Sequence, residues 1–455
     1  MMRYHGRKHT RNGERGVTMI LVVISMLSML AMVALAIDVI ALYAARSEAQ
    51  RAADGAALAA AKMLVDAGVT ADPANATLQT TAQTVARTMA QDVARQGSIA
   101  GRQIQAADVA VVYPNTGLPS FGINPTVTVT VQRTNLPTFF SRIWSRAALT
   151  VRTSATAEAF NPSNSSTVAG GGIGVPIVAR CLKPFLLPNC DPGAPGGGCG
   201  GTAATLFNVA TGAITRPGQS PAGIIGETFT LNANCGAGPT CVLGPPNIGA
   251  PNTAQYYPAQ MSTPPANACP AACGGGTDFE QNIECCNPAP LTCGTTGTAT
   301  SKLLPDTTVF PDGGGGPAET GVKCLIHQNN GANGQDILNG NNPAPLTYPL
   351  QIQVGNDHPL AGALANSYVT TSDSLVTVPV YDDLAAAGPP TTAGGVQIIG
   401  FLQLFINRSF PGGGGPKAGS FQATVVNVSG CGSAASGTPV FSGSSAAVPV
   451  RLTHQ

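Results

Sequence analysis

The 455-residue chain has 23 Lys and Arg against 22 Asp and Glu, and only 10% of its residues are charged. This near-neutral balance excludes a strongly basic nucleic-acid binder. With 55 Gly, 37 Pro and 5% aromatic residues, the body is expected to be loop-rich with a thin core, in two to four domains by length.

Residues 1–16 hold Arg3, Arg7, Lys8, Arg11 and Arg15 against Glu14, a net +4, and show no apolar face. Val17 to Ile37 follow without a formal charge. As a helix this stretch reaches about 30 Å, the thickness of a bilayer's hydrocarbon core. A cleaved signal peptide has a shorter apolar region, about 7–15 residues. Ala34 and Ala36 supply its A-x-A pattern, but the length of the run favours an uncleaved anchor. Basic residues beside a span stay cytoplasmic, so the N-terminus is expected inside and everything from Asp38 outside. Asp38 is read as an interfacial carboxylate in contact with water, with Tyr43 as an interfacial anchor.

The helix should continue past the membrane through residue 66, a stretch with no proline and only Gly55. Ala41, Ala45, Ala49, Ala53, Ala57 and Ala61 recur at i, i+4. Such a row of small side chains lets a second helix approach closely. It drifts about 40° per step, which suits a crossing partner. Asp72-Pro73 predicts the start of a second helix, capped by the aspartate and running to about residue 96. Leu78, Val85, Met89 and Val93 lie on one face of it. The period then changes. Residues 109–113, 126–133 and 148–160 read as strands, the second alternating Val127, Val129 and Val131 with threonine. Residues 136–144, holding Phe139, Phe140, Ile143 and Trp144, read as a short connecting helix. Residues 39–160 are thus expected as two helices against a small antiparallel sheet.

Residues 161–174 read as a flexible linker. Beyond it, residues 175–455 are expected as a mostly β, disulfide-rich extracytoplasmic domain. Its strands are expected at 175–179, 374–382, 396–406, 421–428 and 447–452, and loops at 192–201, 236–241 and 311–319. All twelve cysteines lie there: Cys181, Cys190, Cys199, Cys235, Cys241, Cys269, Cys273, Cys285, Cys286, Cys293, Cys324 and Cys431. An even number confined to the segment after the span points to up to six disulfides in an oxidising compartment. The cluster from Cys269 to Cys293 raises zinc as an alternative, but its spacing fits no common zinc pattern.

No catalytic constellation stands out: there is no P-loop, HExxH or G-x-S-x-G. His327 and His358 read as isolated structural histidines, and Asp357-His358 as half of a pair without the rest. Asp382 and Asp383 lack a calcium-loop context. The GGGG runs at 313–316 and 412–415 read as loops, since neither opens a convincing helix after a strand. Asn75, Asn164, Asn407 and Asn427 match the short N-x-S/T pattern. No cofactor, metal or small-molecule substrate is expected.

The ERG lead-in (Glu14, Arg15, Gly16), the apolar span, Asp38-Val39 at its end, Tyr43 and the alanine-rich run 52–61 together resemble the N-terminal segment of TadG-like proteins of the Tad/Flp pilus machinery. The resemblance covers residues 14–62, and the strand-rich section from 126 to 159 is similar to what often follows in TadE/TadG-type proteins. It implies a single-pass bacterial inner-membrane protein with a periplasmic or extracellular body. It also implies a non-enzymatic role in assembling, anchoring or stabilising Flp (type IVc) pili, with other pilus-assembly or pilin-like proteins as partners. Some TadG-like chains carry an adhesion domain with a D-x-S-x-S metal site; that motif is absent here, so metal-dependent adhesion is not implied. Gly16-Val17-Thr18-Met19-Ile20-Leu21 also resembles a prepilin processing junction, which makes a minor pilin-like subunit the alternative. Leu21 stands where pilins carry glutamate, and this weighs against it. A secreted hydrolase with its site in 175–455 is the remaining alternative.

Overall fold

The computed structural model describes residues 14–117, 121–122, 124–136, 140, 149–161, 175–194, 204–236, 240–243, 253–269, 273, 275–294, 301–312, 315–328, 334–338, 346, 349–358, 361–364, 367–369, 371–382, 394–409, 419–441 and 448–453. Residues 1–13, most of the expected connecting helix, residues 162–174 of the expected linker, the 412–415 glycines, Cys199, Asn164 and Asp383 lie outside these. The chain divides into two compact units. One is formed by Met1–Ala56, Gln91–Val111 and Val129–Ala155, the other by Ala57–Ala90, Val112–Thr128 and Thr156–Gln455.

Helix α1 runs unbroken from Glu14 to Asp66, 53 residues. No proline interrupts it and alanine dominates its second half, so propensity alone favours continuation. It stops at Gly68, whose φ of +84° is the left-handed conformation that ends helices and that glycine adopts without strain. Helix α2 spans Ala76–Arg95, later than the expected start at Asp72-Pro73. Those two residues form a turn instead, with the Asn75 N–H bonded to the Asp72 carbonyl oxygen. The cap is Asn75, whose Oδ1 accepts the Leu78 N–H at 2.9 Å while its Nδ2 donates to Asp72. The buried face of α2 also differs from expectation. Leu78, Ala82, Ala86, Ala90 and Ala94 are buried, whereas Val85, Met89 and Val93 are only half-buried.

Strands β1 (Val109–Val112), β2 (Thr126–Leu136) and β3 (Leu149–Ala159) are where the alternating pattern puts them. Val127, Val129 and Val131 are fully buried, as the period of two requires. Within the body, β4 (Phe185–Pro188), β5 (Thr228–Ala233), β6 (Thr253–Pro258), β7 (Leu375–Tyr381), β8 (Val396–Ser409) and β9 (Phe421–Gly430) pair in the order β7-β4-β6-β5-β9-β8. The β7–β8 pairing then closes the ring into a six-stranded barrel. The β4–β7 and β5–β6 pairs are parallel and the other four antiparallel. Closure pairs each of these strands on both sides, and Lys302–Leu303 adds antiparallel to the start of β8 at Gln397 and Val396. Their two faces feed different clusters: Phe185 and Leu187 belong to the main core and Leu186 to a second one. Burial on both faces explains why β7 and β8 read as near-continuous apolar runs without alternation.

The last strand, β10 (Val450–Thr453), pairs antiparallel with β3, Val450 opposite Ala159 and Thr453 opposite Thr156. It completes a four-stranded sheet ordered β10-β3-β2-β1. Two short helices, α3 (Asp278–Glu284) and α4 (Pro317–Leu325), were not legible in the sequence. A Cβ on Gly321 would sit 3.1 Å from Ile283, so the glycine permits their close approach.

Candidate functional site

From Val17 to Ile40 the large side chains of α1 stand outside the protein body: Met19 is 72% exposed, Leu30 60% and Ile40 68%. A helix that is apolar all round and uncovered has hydrocarbon as its natural solvent, and α1 is long and apolar enough to cross a membrane. The serines inside the run are satisfied within the helix. Ser25 Oγ donates to the Val22 carbonyl at 2.9 Å and Ser28 Oγ to the Ser25 carbonyl at 2.8 Å, as a polar group in lipid requires.

At the far end of the span, Asp38 is only 4% exposed. Its carboxylate accepts the backbone N–H of Phe140 at 3.1 Å, so its surroundings are protein rather than the expected water. Tyr43 remains 70% exposed. Two further polar residues of α1 reach their own unit. Glu48 Oε2 accepts the Ala100 N–H at 2.7 Å, and Gln50 Nε2 donates to the Ser154 carbonyl at 3.3 Å. In the alanine row, Ala41 is half-buried, while Ala45, Ala49, Ala53, Ala57 and Ala61 are buried. Little of this row is left open on the chain.

The described cysteines of the body are cross-linked. Cys181–Cys286, Cys235–Cys241, Cys269–Cys285, Cys273–Cys324 and Cys293–Cys431 are disulfides, and Cys190 is also disulfide-bonded. Every cysteine of the zinc-like cluster is thus committed to sulfur. Among the described residues no group of three or more His, Cys, Asp and Glu is arranged to hold a metal.

The histidines are less isolated than their sequence context suggests. His327 Nε2 lies 2.9 Å from Asp373 Oδ2, and this hydrogen bond raises the imidazole's pKa and lowers that of the carboxyl. His358 faces Asp336 at 3.9 Å rather than its sequence neighbour Asp357. Asp336 is occupied by the Gly355 N–H and the Ser372 hydroxyl. Among the described residues, no hydroxyl or thiol nucleophile is hydrogen-bonded to the His327 imidazole. A second polar cluster joins Arg216 to both Asp191 and Glu227. Burial, and then the Asp191 carboxylate, push the Glu227 carboxyl up to about 8.

Gly316, the last glycine of the 313–316 run, does stand at the N-cap of a helix, α4, with Pro317 in its first turn. Just ahead of the cap, the Gly315 N–H donates to Glu319 Oε2 of the helix's first turn at 3.0 Å. Asp382, at the end of β7, uses its N–H in bonding to the Gln397 carbonyl. Asn75 caps α2, Asn407 donates to Thr424, and Asn427 is fully buried.

No curated protein and no solved structure matches the chain. Residues 16–63, the apolar half of α1 and the alanine row together, match the model of the Tad family, Flp pilus-assembly TadE/G-like, and the likeness covers that segment of the chain.

Proposed function

We propose that this chain is a non-enzymatic, membrane-anchored component of Flp (type IVc) pilus assembly that works through protein–protein contacts. The observation that carries the reading is the coincidence of the Tad match at 16–63 with the uncovered apolar part of α1. The family segment and the membrane anchor are one element. The N-terminus is cytoplasmic, because five basic residues precede the span. The body is extracytoplasmic, because disulfides form across it and such bonds persist in oxidising compartments. The surface that meets pilus proteins lies on the barrel-bearing body rather than on the alanine row, most of which is buried.

Deletion of the gene in a piliated host, followed by complementation, tests the role. Loss of surface pili restored by the full chain is expected, and unchanged piliation in the deletion strain would overturn it. Alkaline phosphatase fused after residue 453 tests the topology: it should be active, and an inactive fusion at normal expression places the body in the cytoplasm.

A further inference from the structure

We propose that the cleft where α1 leaves its apolar segment binds the phosphate of an anionic phospholipid from the surrounding bilayer. The proposal rests on the membrane-anchor reading. Val39, Leu42, Tyr43 and Arg46 of α1 and Thr150 and Arg152 of β3 line an open cleft of about 390 Å³. Its walls belong to one compact unit.

Three features point to a lipid headgroup. The first is depth. Large exposed apolar side chains run along α1 as far as Ile40 and Tyr43, which marks the outer limit of the lipid-facing surface. Arg46 lies six residues beyond Ile40, about 9 Å along the axis. Helical side chains lean toward the N-terminus, here toward the bilayer, and a long arginine stem reaches further back. That returns the guanidinium to the headgroup layer, roughly 5–8 Å deep on each side of the hydrocarbon.

The second feature is charge. Arg46 and Arg152 are exposed, and neither makes an ion pair with any described residue. Among the described residues, no carboxylate lines the cleft. The nearby acids of α1 are engaged elsewhere: Asp38 with the Phe140 N–H and Glu48 with the Ala100 N–H. Two guanidiniums facing one cleft offer the forked donor geometry that suits phosphate oxygens.

The third feature is amphipathy. The apolar side chains of Val39 and Leu42 share the cleft with both arginines and with two hydroxyl side chains, Tyr43 and Thr150. A phospholipid matches this pairing, with acyl chain and glycerol against the apolar wall and phosphate between the arginines. A free anion would leave the apolar wall unused.

The test reconstitutes the full chain in nanodiscs of mixed phosphatidylcholine and phosphatidylglycerol. It reads the lipid retained after gentle extraction by native mass spectrometry. Phosphatidylglycerol should be enriched over its bilayer share by roughly fivefold per arginine engaged. The Arg46→Gln/Arg152→Gln double variant should return to the bulk ratio, and Arg46→Lys/Arg152→Lys, which keeps the charge but loses the fork, should fall between the two. Arg95→Gln, an exposed arginine outside the cleft, should change nothing. A wild type that inserts but shows no enrichment, or an enrichment that survives the double Gln variant, overturns the proposal and leaves the anchor intact. Displacement of the lipid by inorganic phosphate reassigns the site to a free anion and also overturns it. A chain that fails to enter nanodiscs removes the anchor reading itself.

Discussion

The Asp38 carboxylate accepts the Phe140 N–H at 3.1 Å, although 102 residues separate the two in sequence. The bond ties the outer end of the apolar run to the segment that follows β2. A largely buried charged acceptor and a backbone donor make one of the stronger hydrogen bonds, and losing the acceptor strands the donor. Asp38→Ala should therefore cost about 1.5–3 kcal/mol, read as a lower thermal midpoint of the protein in nanodiscs, without loss of membrane insertion. An unchanged midpoint would mean that water takes over the acceptor's role.

Two buried asparagines fasten the last turn of α1 and the chain beyond it. Asn427 Nδ2 donates to the Val65 carbonyl at 3.3 Å. Asn161 Nδ2 bridges the Thr70 and Val428 carbonyls at 3.2 and 3.0 Å. The Val65 carbonyl at the end of α1 also accepts the Gly68 N–H at 2.9 Å, and Asn427 supplies a second donor to it, one that crosses to another element. Asn427→Ala should cost about 1–3 kcal/mol in denaturant unfolding. Faster hydrogen exchange should appear at residues 60–66, whereas uniform exchange across the chain would show that no local tie was lost.

Gly400 and Gly430 face each other across β8 and β9, and the Phe207 ring lies over both. A Cβ on Gly400 would come within 2.5 Å of that ring, and nothing else is closer. One on Gly430 would also meet the Gly212 carbonyl oxygen. Overpacking of this kind costs about 1–3 kcal/mol, so both Gly→Ala changes should destabilise. They should differ in rescue. Trimming Phe207 to Ala should relieve most of the Gly400→Ala cost but little of the Gly430→Ala cost, because backbone cannot step aside. A double-mutant cycle measures this, and equal coupling at the two glycines would refute the packing account.

What could be read in the sequence was local. The apolar run, the helical alanine stretch and the β2 alternation depend on near neighbours, and α1, β2 and β3 formed where those patterns place them. The Asn75 cap was missed because Asp72-Pro73 is also a good turn, and the backbone used it as one. Barrel closure left no local mark. The β4–β7 pair joins residues near 187 to residues near 380, and a strand buried on both faces loses its period. The pairing of Val450 with Ala159 is equally invisible in sequence. Most of the alanine row is buried, but its i, i+4 pattern carries no information on what packs there. His327 and His358 looked isolated because Asp373 and Asp336 reach them only through the fold.

The disulfides close loops of very different size. Cys293–Cys431 spans 138 residues and Cys235–Cys241 only 6. In the chain-entropy account these are worth about 5 and about 2 kcal/mol. Replacing both partners by Ser should therefore lower stability more for the 293–431 pair, by about 3 kcal/mol. Equal losses in denaturant unfolding would show that native-state contacts, rather than chain entropy, set the contribution.

Glu227 makes stability depend on pH in a direction opposite to an ordinary salt-bridged acid. Glu227 is only 6% exposed and close to Asp191, with Arg216 as the compensating cation. Burial, reinforced by the Asp191 charge, raises it from 4.5 in the unfolded reference to about 8. Between those values the folded state keeps a proton that the unfolded state has released. Stability from this group is therefore full below about 4.5 and is lost as pH rises through about 8. Glu227→Gln replaces the protonated acid by a neutral isostere, so it should flatten the decline. Wild type and variant should unfold at similar denaturant concentrations near the acid end, and the variant should hold the advantage above the folded pKa. Parallel wild-type and variant curves across the whole range would show that Glu227 ionises in the folded state as readily as in the unfolded chain.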